Sequence, residues 1–302
     1  MSKDTILIGP TGFLGPAFLK SNPSIIGVGR SALPPHLKND FIRIEEDLDF
    51  SCLDNVEFKN VIFLIGSSDH GVLNNHPTLA IEKNVFCLSV FLDYLKKSDR
   101  KINKIINFTT MLQYDSQALV LPCNENNPRN PYVNNYVMSK FISEILTQQY
   151  REYFPIIDIR ISNVFGPTRL ERPDLVPTLI WKALSGNATT HLTVWNKKPR
   201  RDFIFVEDAI AAVLALFKTD YSGPVNLGSG ISHSVGDVCS VIEKLSNKSF
   251  EDKALPVTGH MEYVHDISLL QSLINWQPSV SLEEGLVKTF REMQEYPVPA
   301  NK

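Results

Sequence analysis

Tyr136 and Lys140 stand four residues apart in Tyr136-Val137-Met138-Ser139-Lys140, a spacing that puts both side chains on one face of a helix. A phenol with a pKa near 10 is a poor base at neutral pH. A nearby ammonium stabilises the phenolate and lowers that pKa into a useful range. Such a pair also occurs in ordinary amphipathic helices, so it needs company. Thr109-Thr110 supplies it at the end of the apolar run Lys104–Phe108. A Thr110 hydroxyl at the carboxyl edge of a strand can hydrogen-bond a substrate oxygen that gains or loses a proton. A second chemical feature is Gly9-Pro10-Thr11-Gly12-Phe13-Leu14-Gly15, directly after the apolar run Thr5–Ile8. Glycine at 9, 12 and 15 lets the backbone turn sharply and approach an anion, and a following helix presents free N–H groups to a diphosphate. Pro16 follows the last glycine where a nucleotidase of the P-loop type has lysine, which argues against that class. A plain tight turn is the alternative reading of the glycines.

Elements of two kinds must position these groups. Thr5–Ile8, Ile25–Val28, Phe41–Ile44, Val61–Ile65, Lys104–Phe108 and Ile156–Ile161 are short, continuous and rich in Ile and Val, as strands buried on both faces require. Longer amphipathic stretches alternate with them, clearest at Leu79–Lys97 and Tyr132–Phe154. The alternation predicts βαβ units and an α/β, Rossmann-type doubly wound parallel sheet. After Gly166-Pro167 the rhythm loosens. Asp202–Val206 with the helix-like Glu207–Lys218 is expected to rejoin the sheet, and 231–302 to form a small mixed lobe. The expected division is 1–165 plus about 202–230 for the dinucleotide domain, and 166–201 with 231–302 for the substrate lobe.

In the first βα unit the glycine turn lies where the ligand crevice of such a sheet begins. Phe13 and Leu14 open the following helix, while Leu64 and Ile65 end the fourth strand; all four join the expected cofactor contacts. Asp47-Leu48, after the third strand, is placed to meet an adenine edge. Gly29-Arg30-Ser31 follows the second strand, where a carboxylate would bind a ribose 2′-hydroxyl. No carboxylate is there, and Arg30 with Ser31 suits a 2′-phosphate, pointing to NADP, with NAD the alternative. A surface arginine in a loop is the blander reading of Arg30.

Composition removes several classes. The 302 residues are 43% hydrophobic and 21% charged, ordinary for a globular chain, which sets aside disordered and coiled-coil readings. A net charge of −3 does not favour a nucleic-acid binder. No run approaches the ~18 apolar residues of a membrane span. Cys52, Cys87, Cys123 and Cys239 are scattered, so neither a zinc knuckle nor a disulfide framework is expected. His70 and His76 lie near the crevice but lack ligand spacing, and read as surface residues rather than metal ligands. The expectation is a cytoplasmic protein with no metal, no membrane and no nucleic-acid partner.

The ordered motifs resemble the extended short-chain dehydrogenase/reductases, in the nucleotide-sugar epimerase/dehydratase branch. The likeness runs from the glycine turn through Thr110 and Tyr136–Lys140 to Arg201-Asp202-Phe203-Ile204-Phe205-Val206, then to Asp266-Ile267-Ser268 and Asn275-Trp276-Gln277-Pro278. It implies an NAD(P)-binding domain and a carboxy-terminal lobe for a nucleoside-diphosphate sugar, often in a homodimer. Thr110, Tyr136 and Lys140 fall on the family's catalytic positions. Asn84 falls on a structural asparagine, and Asn163 and Arg201 fall on residues that contact the substrate diphosphate.

Departures narrow the reaction. Met111-Leu112 stands where the branch's dehydratases carry an Asp-Glu pair, and neither side chain can shuttle a proton. No cysteine neighbours Thr110, unlike GDP-fucose synthases. The family's second substrate arginine is absent around Pro256–His260, with Arg169 or Arg172 as substitutes. The expected activity is NADPH-dependent reduction of a nucleoside-diphosphate keto-sugar with Tyr136 as acid/base. A 4-epimerase retaining bound NAD is the runner-up, and a non-catalytic NAD(P) sensor the third reading.

Overall fold

A computed structural model describes residues 4–46, 48–170, 174–185, 191–257 and 259–297. The strands are β1 Thr5–Ile8, β2 Ile26–Gly29, β3 Phe41–Arg43, β4 Asn60–Phe63, β5 Lys104–Thr110, β6 Ile156–Ile161, β7 Asn163–Phe165, β8 His191–Val194, β9 Arg200–Phe205, β10 Gly223–Leu227, β11 Ser232–Ser234 and β12 Ser249–Asp252. The helices are α1 Leu14–Ser21, α2 His70–Asn75, α3 Pro77–Ile81, α4 Cys87–Lys97, α5 Asn135–Tyr150, α6 Leu175–Leu184, α7 Val206–Leu216, α8 Val235–Ser246, α9 Ser268–Ile274 and α10 Leu282–Gln294.

Seven strands form one sheet in the order β10-β6-β5-β4-β1-β2-β3, every pair parallel. This is the Rossmann-type doubly wound sheet expected of the Ile/Val runs. Side chains alternate across it with the two-residue period of a strand, making two cores. Leu7, Ile62, Ile106 and Ile157 pack on one face with Phe18 of α1 and Ala212 of α7. Ile6, Ile8, Val61, Phe63 and Ile105 pack on the other with Phe91, Leu92 and Leu95 of α4. Burying each such side chain contributes about 1.5–3 kcal/mol, so a one-residue register slip in a central strand costs several of these at once.

Three expectations about elements are corrected. Asp202–Val206 does not rejoin the large sheet. Its strand, β9, lies parallel to β7 and antiparallel to β11 in a separate three-stranded sheet. The strand that closes the large sheet is β10, paired with β6. Its sequence, Gly-Pro-Val-Asn-Leu, has too few branched residues to stand out from a loop. The stretch 79–97 is not one helix. α3 runs into a π-helical turn, Glu82–Phe86, before α4 begins. The helix expected over 132–154 is shorter, with Pro131–Val133 a single 3₁₀ turn and the Asn134 side chain capping α5 through the Val137 N–H. β8 and β12 form a parallel pair, and α8 and α10 each begin with a capping box, at Ser234/Asp237 and Ser281/Glu284.

Candidate active site

In the sheet order the chain reverses direction of winding at β1, between β2 and β4. Ligands of open α/β sheets bind outside the carboxyl ends of strands at such a switch point. A cavity of about 300 Å³ lies there, walled by residues 12–14 after β1, 63–68 after β4, 108–112 at the end of β5 and 161–165 at the end of β6. The first residues of α6, Asp174–Pro177, complete the wall.

The three glycines have different tasks. Gly9 has φ +85°, and a Cβ there would lie 2.9 Å from the Ile65 nitrogen. A Cβ at Gly15 would come within 2.0 Å of the Pro10 carbonyl oxygen. These two shape the turn from beneath. At Gly12 a Cβ would meet no atom within 4 Å, and Gly12 faces the cavity. Bare backbone there suits close approach by a ligand. α1 starts beside it with no side-chain cap, leaving its first N–H groups to an anion. The cradle therefore fits a dinucleotide diphosphate.

Lys140 and Tyr136 project from α5 into the same cavity as Thr110. Lys140 Nζ donates to the Phe108 carbonyl at 2.9 Å. Burial pulls its ammonium down to about 8. Tyr136 is buried and packs with Leu73, Ala80 and Val137. Thr110 Oγ1 accepts from the Leu112 N–H at 3.2 Å. Asn84, buried in the π turn, accepts from the Ser67 N–H at 2.8 Å and donates to the Ser67 carbonyl and to Ser139 Oγ, at 3.1 and 2.9 Å. It thereby ties the loop after β4 to the residue preceding Lys140. Asn163 lines the cavity and donates to the Asp202 carbonyl at 3.3 Å.

Of the residues singled out from sequence, Gly12, Phe13, Leu14, Leu64, Ile65, Thr110, Tyr136, Lys140 and Asn163 meet around this one cavity. Arg30, Ser31, Leu48 and Arg201 are not on its wall. Arg30 and Ser31 are exposed beyond β2, and a Cβ at Gly29 would press on Pro10 at 3.0 Å. A side chain at position 29 would therefore require Pro10 to give by a few tenths of an ångström. Leu48 adopts φ 63°, a left-handed conformation unusual for leucine. Arg201 Nη1 donates to the Arg200 and Met261 carbonyls at 2.8 and 3.3 Å, and burial lowers its pKa. Asp47 and Arg172 lie outside the described residues. Arg169 sits over the Tyr296 ring, 4.5 Å from its centroid.

His70 lies at the crevice, as its place in the sequence suggested, but half-buried rather than at the surface: it lines the cavity, and its ring lies 4.2 Å from that of Tyr136. His76 is exposed, and no cluster that could hold a metal occurs among the described residues. Asp174, also on the wall, was invisible beforehand. Its only sequence signal is its place just before the helical run Leu175–Leu184.

A family model described as the NAD dependent epimerase/dehydratase family matches residues 5–228. A UDP-N-acetyl-alpha-D-glucosaminuronate decarboxylase of Bacillus cytotoxicus is 28% identical over 53% of this chain and 54% of its own length. A probable GDP-L-fucose synthase of Oryza sativa is 30% identical over 58% of this chain and 56% of its own. The chain thus spans about half the length of these curated relatives. A UDP-glucose 4-epimerase of Thermotoga maritima, solved with UDP-glucose, has the same fold at 18% identity, with a TM-score of 0.84 over 97% of this chain and 99% of that one. No described helix is long and apolar enough to cross a membrane.

Proposed function

The chain belongs to the NAD-dependent epimerase/dehydratase family, and from that membership we propose that it reduces a nucleoside-diphosphate keto-sugar with NADPH. The observation that carries the reading is the convergence of Thr110, Tyr136 and Lys140 on one cavity beside the glycine cradle. A nicotinamide, when bound, supplies hydride to the carbonyl carbon. Tyr136 donates the proton to the carbonyl oxygen, and Thr110 orients that oxygen by a hydrogen bond. Lys140, with its pKa near 8, is largely charged at neutral pH and favours the phenolate through which Tyr136 cycles. Asn163 and Arg201 serve the sugar's diphosphate; a guanidinium suits that group because its planar fork bonds two oxygens.

Within this reading residues 1–165 with about 202–230 hold the cofactor, 166–201 and 231–302 hold the nucleotide sugar, and the protein is a cytoplasmic homodimer. Arg30 and Ser31 supply the preference for NADPH, because position 29 carries glycine in place of a ribose-binding carboxylate and both side chains that follow can bond a 2′-phosphate. The same catalytic residues serve a 4-epimerase that retains NAD. Cofactor stoichiometry separates the two, since a reductase consumes one NADPH per sugar and an epimerase none.

Tyr136→Phe tests the core of the proposal. It removes only the ionisable oxygen, so kcat falls about 10²–10⁴-fold while cofactor affinity stays near that of the wild type. Retention of more than a tenth of the wild-type kcat refutes the assignment.

A further inference from the structure

Among the described residues four titratable side chains line the cavity: His70, Tyr136, Lys140 and Asp174. The reaction above engages Tyr136 and Lys140 and leaves His70 and Asp174 without a task. His70 is held firmly. It opens α2, whose far end is bound to the first turn of α5. Asn135 Nδ2 donates to the Asn74 carbonyl at 2.8 Å, and the Tyr136 N–H donates to Asn74 Oδ1 at 3.3 Å. Leu73 of α2 packs against Tyr136 and Val137. The His70 and Tyr136 rings lie 4.2 Å apart at a tilt of 37°. A histidine on a free surface needs no such fixture.

The charged and titratable groups about the imidazole come from three sides. Asp69, the cap of α2, bonds the Val72 N–H at 3.0 Å; Asp174 stands at the start of α6, and Tyr136 and Lys140 come from α5. Burial disfavours the imidazolium and outweighs the two aspartates, which favour it. The ring is therefore neutral near pH 7 and available as a base. Asp174 lines the same cavity, and its charge favours the imidazolium, the electrostatic role of the carboxylate in a base–carboxylate pair. The neighbouring wall, Met111 and Leu112, carries no proton-transfer group.

We propose that His70, with Asp174 on the same wall, is a second acid–base group of this site and exchanges a proton with the sugar carbon adjacent to the carbonyl on which Tyr136 acts. The inference rests on the keto-sugar reading given above. That carbon lies one hydrogen bond and two covalent bonds from the Tyr136 oxygen, in the space bordered by the tilted imidazole beside Tyr136. An imidazole nitrogen takes the proton, and the C–H electron pair becomes a carbon–carbon double bond. The carbonyl π pair moves onto oxygen, where the Tyr136 and Thr110 hydroxyls hold the enolate by hydrogen bonds. Return of the proton from the imidazolium restores the ketone with its configuration retained, after exchange of the imidazolium proton with solvent where deuterium is to enter. The substrate neither gains nor loses electrons, so the step needs no oxidant or reductant.

The test uses the whole chain in D₂O without reductant, supplied with 4-keto-6-deoxyhexoses carrying UDP, dTDP or GDP. Proton NMR follows deuterium entry at the carbons flanking the carbonyl against a buffer control. The wild type accelerates exchange. His70→Asn and His70→Gln lower that rate about 10²–10⁴-fold while retaining NADP(H) affinity in calorimetry. A structural readout accompanies it: in ¹H–¹³C spectra Asp174→Asn shifts the His70 ring titration to lower pH. Sugar binding without exchange, exchange that persists in both His70 variants, or an unmoved titration overturns the role of His70 and leaves the reductase standing. Failure of all three nucleotide sugars to bind overturns the keto-sugar reading itself.

Discussion

Lys140 and Glu144 sit one turn apart on α5, and their surroundings are opposite. Glu144 belongs to a closed network beneath the lobe. It bonds Arg160 through both carboxylate oxygens, receives Arg129 Nη1 at 2.8 Å, and accepts from Gln113 Nε2 at 3.0 Å. Arg160, which is 2% exposed, reaches on to Tyr114 Oη at 2.9 Å, and Tyr114 Oη donates to Asn226 Oδ1 at 2.7 Å. Burial works against both charges. The Arg160 bonds still hold Glu144 below the usual carboxylate range, and Glu144 in return raises Arg160 above the usual guanidinium value. Lys140 has one carbonyl acceptor, Phe108, and burial wins over it. Compensated charge fastens the fold, whereas weakly compensated charge keeps the proton affinity that chemistry near neutral pH needs.

The sharpest break of this contrast is Glu144→Gln, which strands Arg160 as a buried cation. The expected loss is about 3–5 kcal/mol, read in denaturant unfolding. The wild-type pair's contribution is complete above the unfolded pKa of 4.5 and is lost as pH falls through the lower folded value, so the variant lacks that acid-side decline. Stability equal to wild type at pH 7 refutes the network's role.

Arg201 resembles Lys140: among the described residues no carboxylate pairs with it, only carbonyls. Arg201→Ala is expected to weaken nucleotide-sugar binding by about 1.5–3 kcal/mol and to leave NADP(H) binding alone. Equal losses for both ligands in calorimetry would place Arg201 elsewhere.

On the open side of α5 the sign reverses. Lys140 has a folded pKa of about 8 against 10.5 for the free side chain. The unfolded chain binds the proton more tightly, so stability rises with pH across that window. Lys140→Met removes the slope and raises stability at pH 7 by about 1–3 kcal/mol while abolishing turnover. A destabilised variant with the slope intact contradicts the assignment.

The smallest effect is expected at Arg30, outside both regions. Arg30→Ala brings a preference for NADPH of at least about tenfold, or about 1.4 kcal/mol, down toward parity. A wild type that prefers NADH in titration, or retains NAD through purification, selects the epimerase.

Much of this arrangement was written in local pattern. Continuous Ile/Val runs are what strands covered on both faces require, and the sheet came out parallel. The glycine spacing and the four-residue interval from Tyr136 to Lys140 are properties of one turn and one helix, which neighbours in the chain alone determine. β10 was missed because its residues have weak strand character and its place comes from pairing with β6, far away in sequence. β9 was misplaced for the converse reason: its strand pattern was plain, but pattern does not name a partner.

Sequence by itself therefore determined the sheet, the cradle and the helix face that carries Tyr136 and Lys140, since each follows from periodicity and backbone sterics over a few residues. The tertiary structure decided what surrounds them. It set the His70 ring against Tyr136 across 66 positions of chain, brought Asp174 to the same wall, and gave Glu144 rather than Lys140 the buried guanidinium. Burial and Coulomb energy depend on distance in space, and that distance is not carried by spacing along the chain.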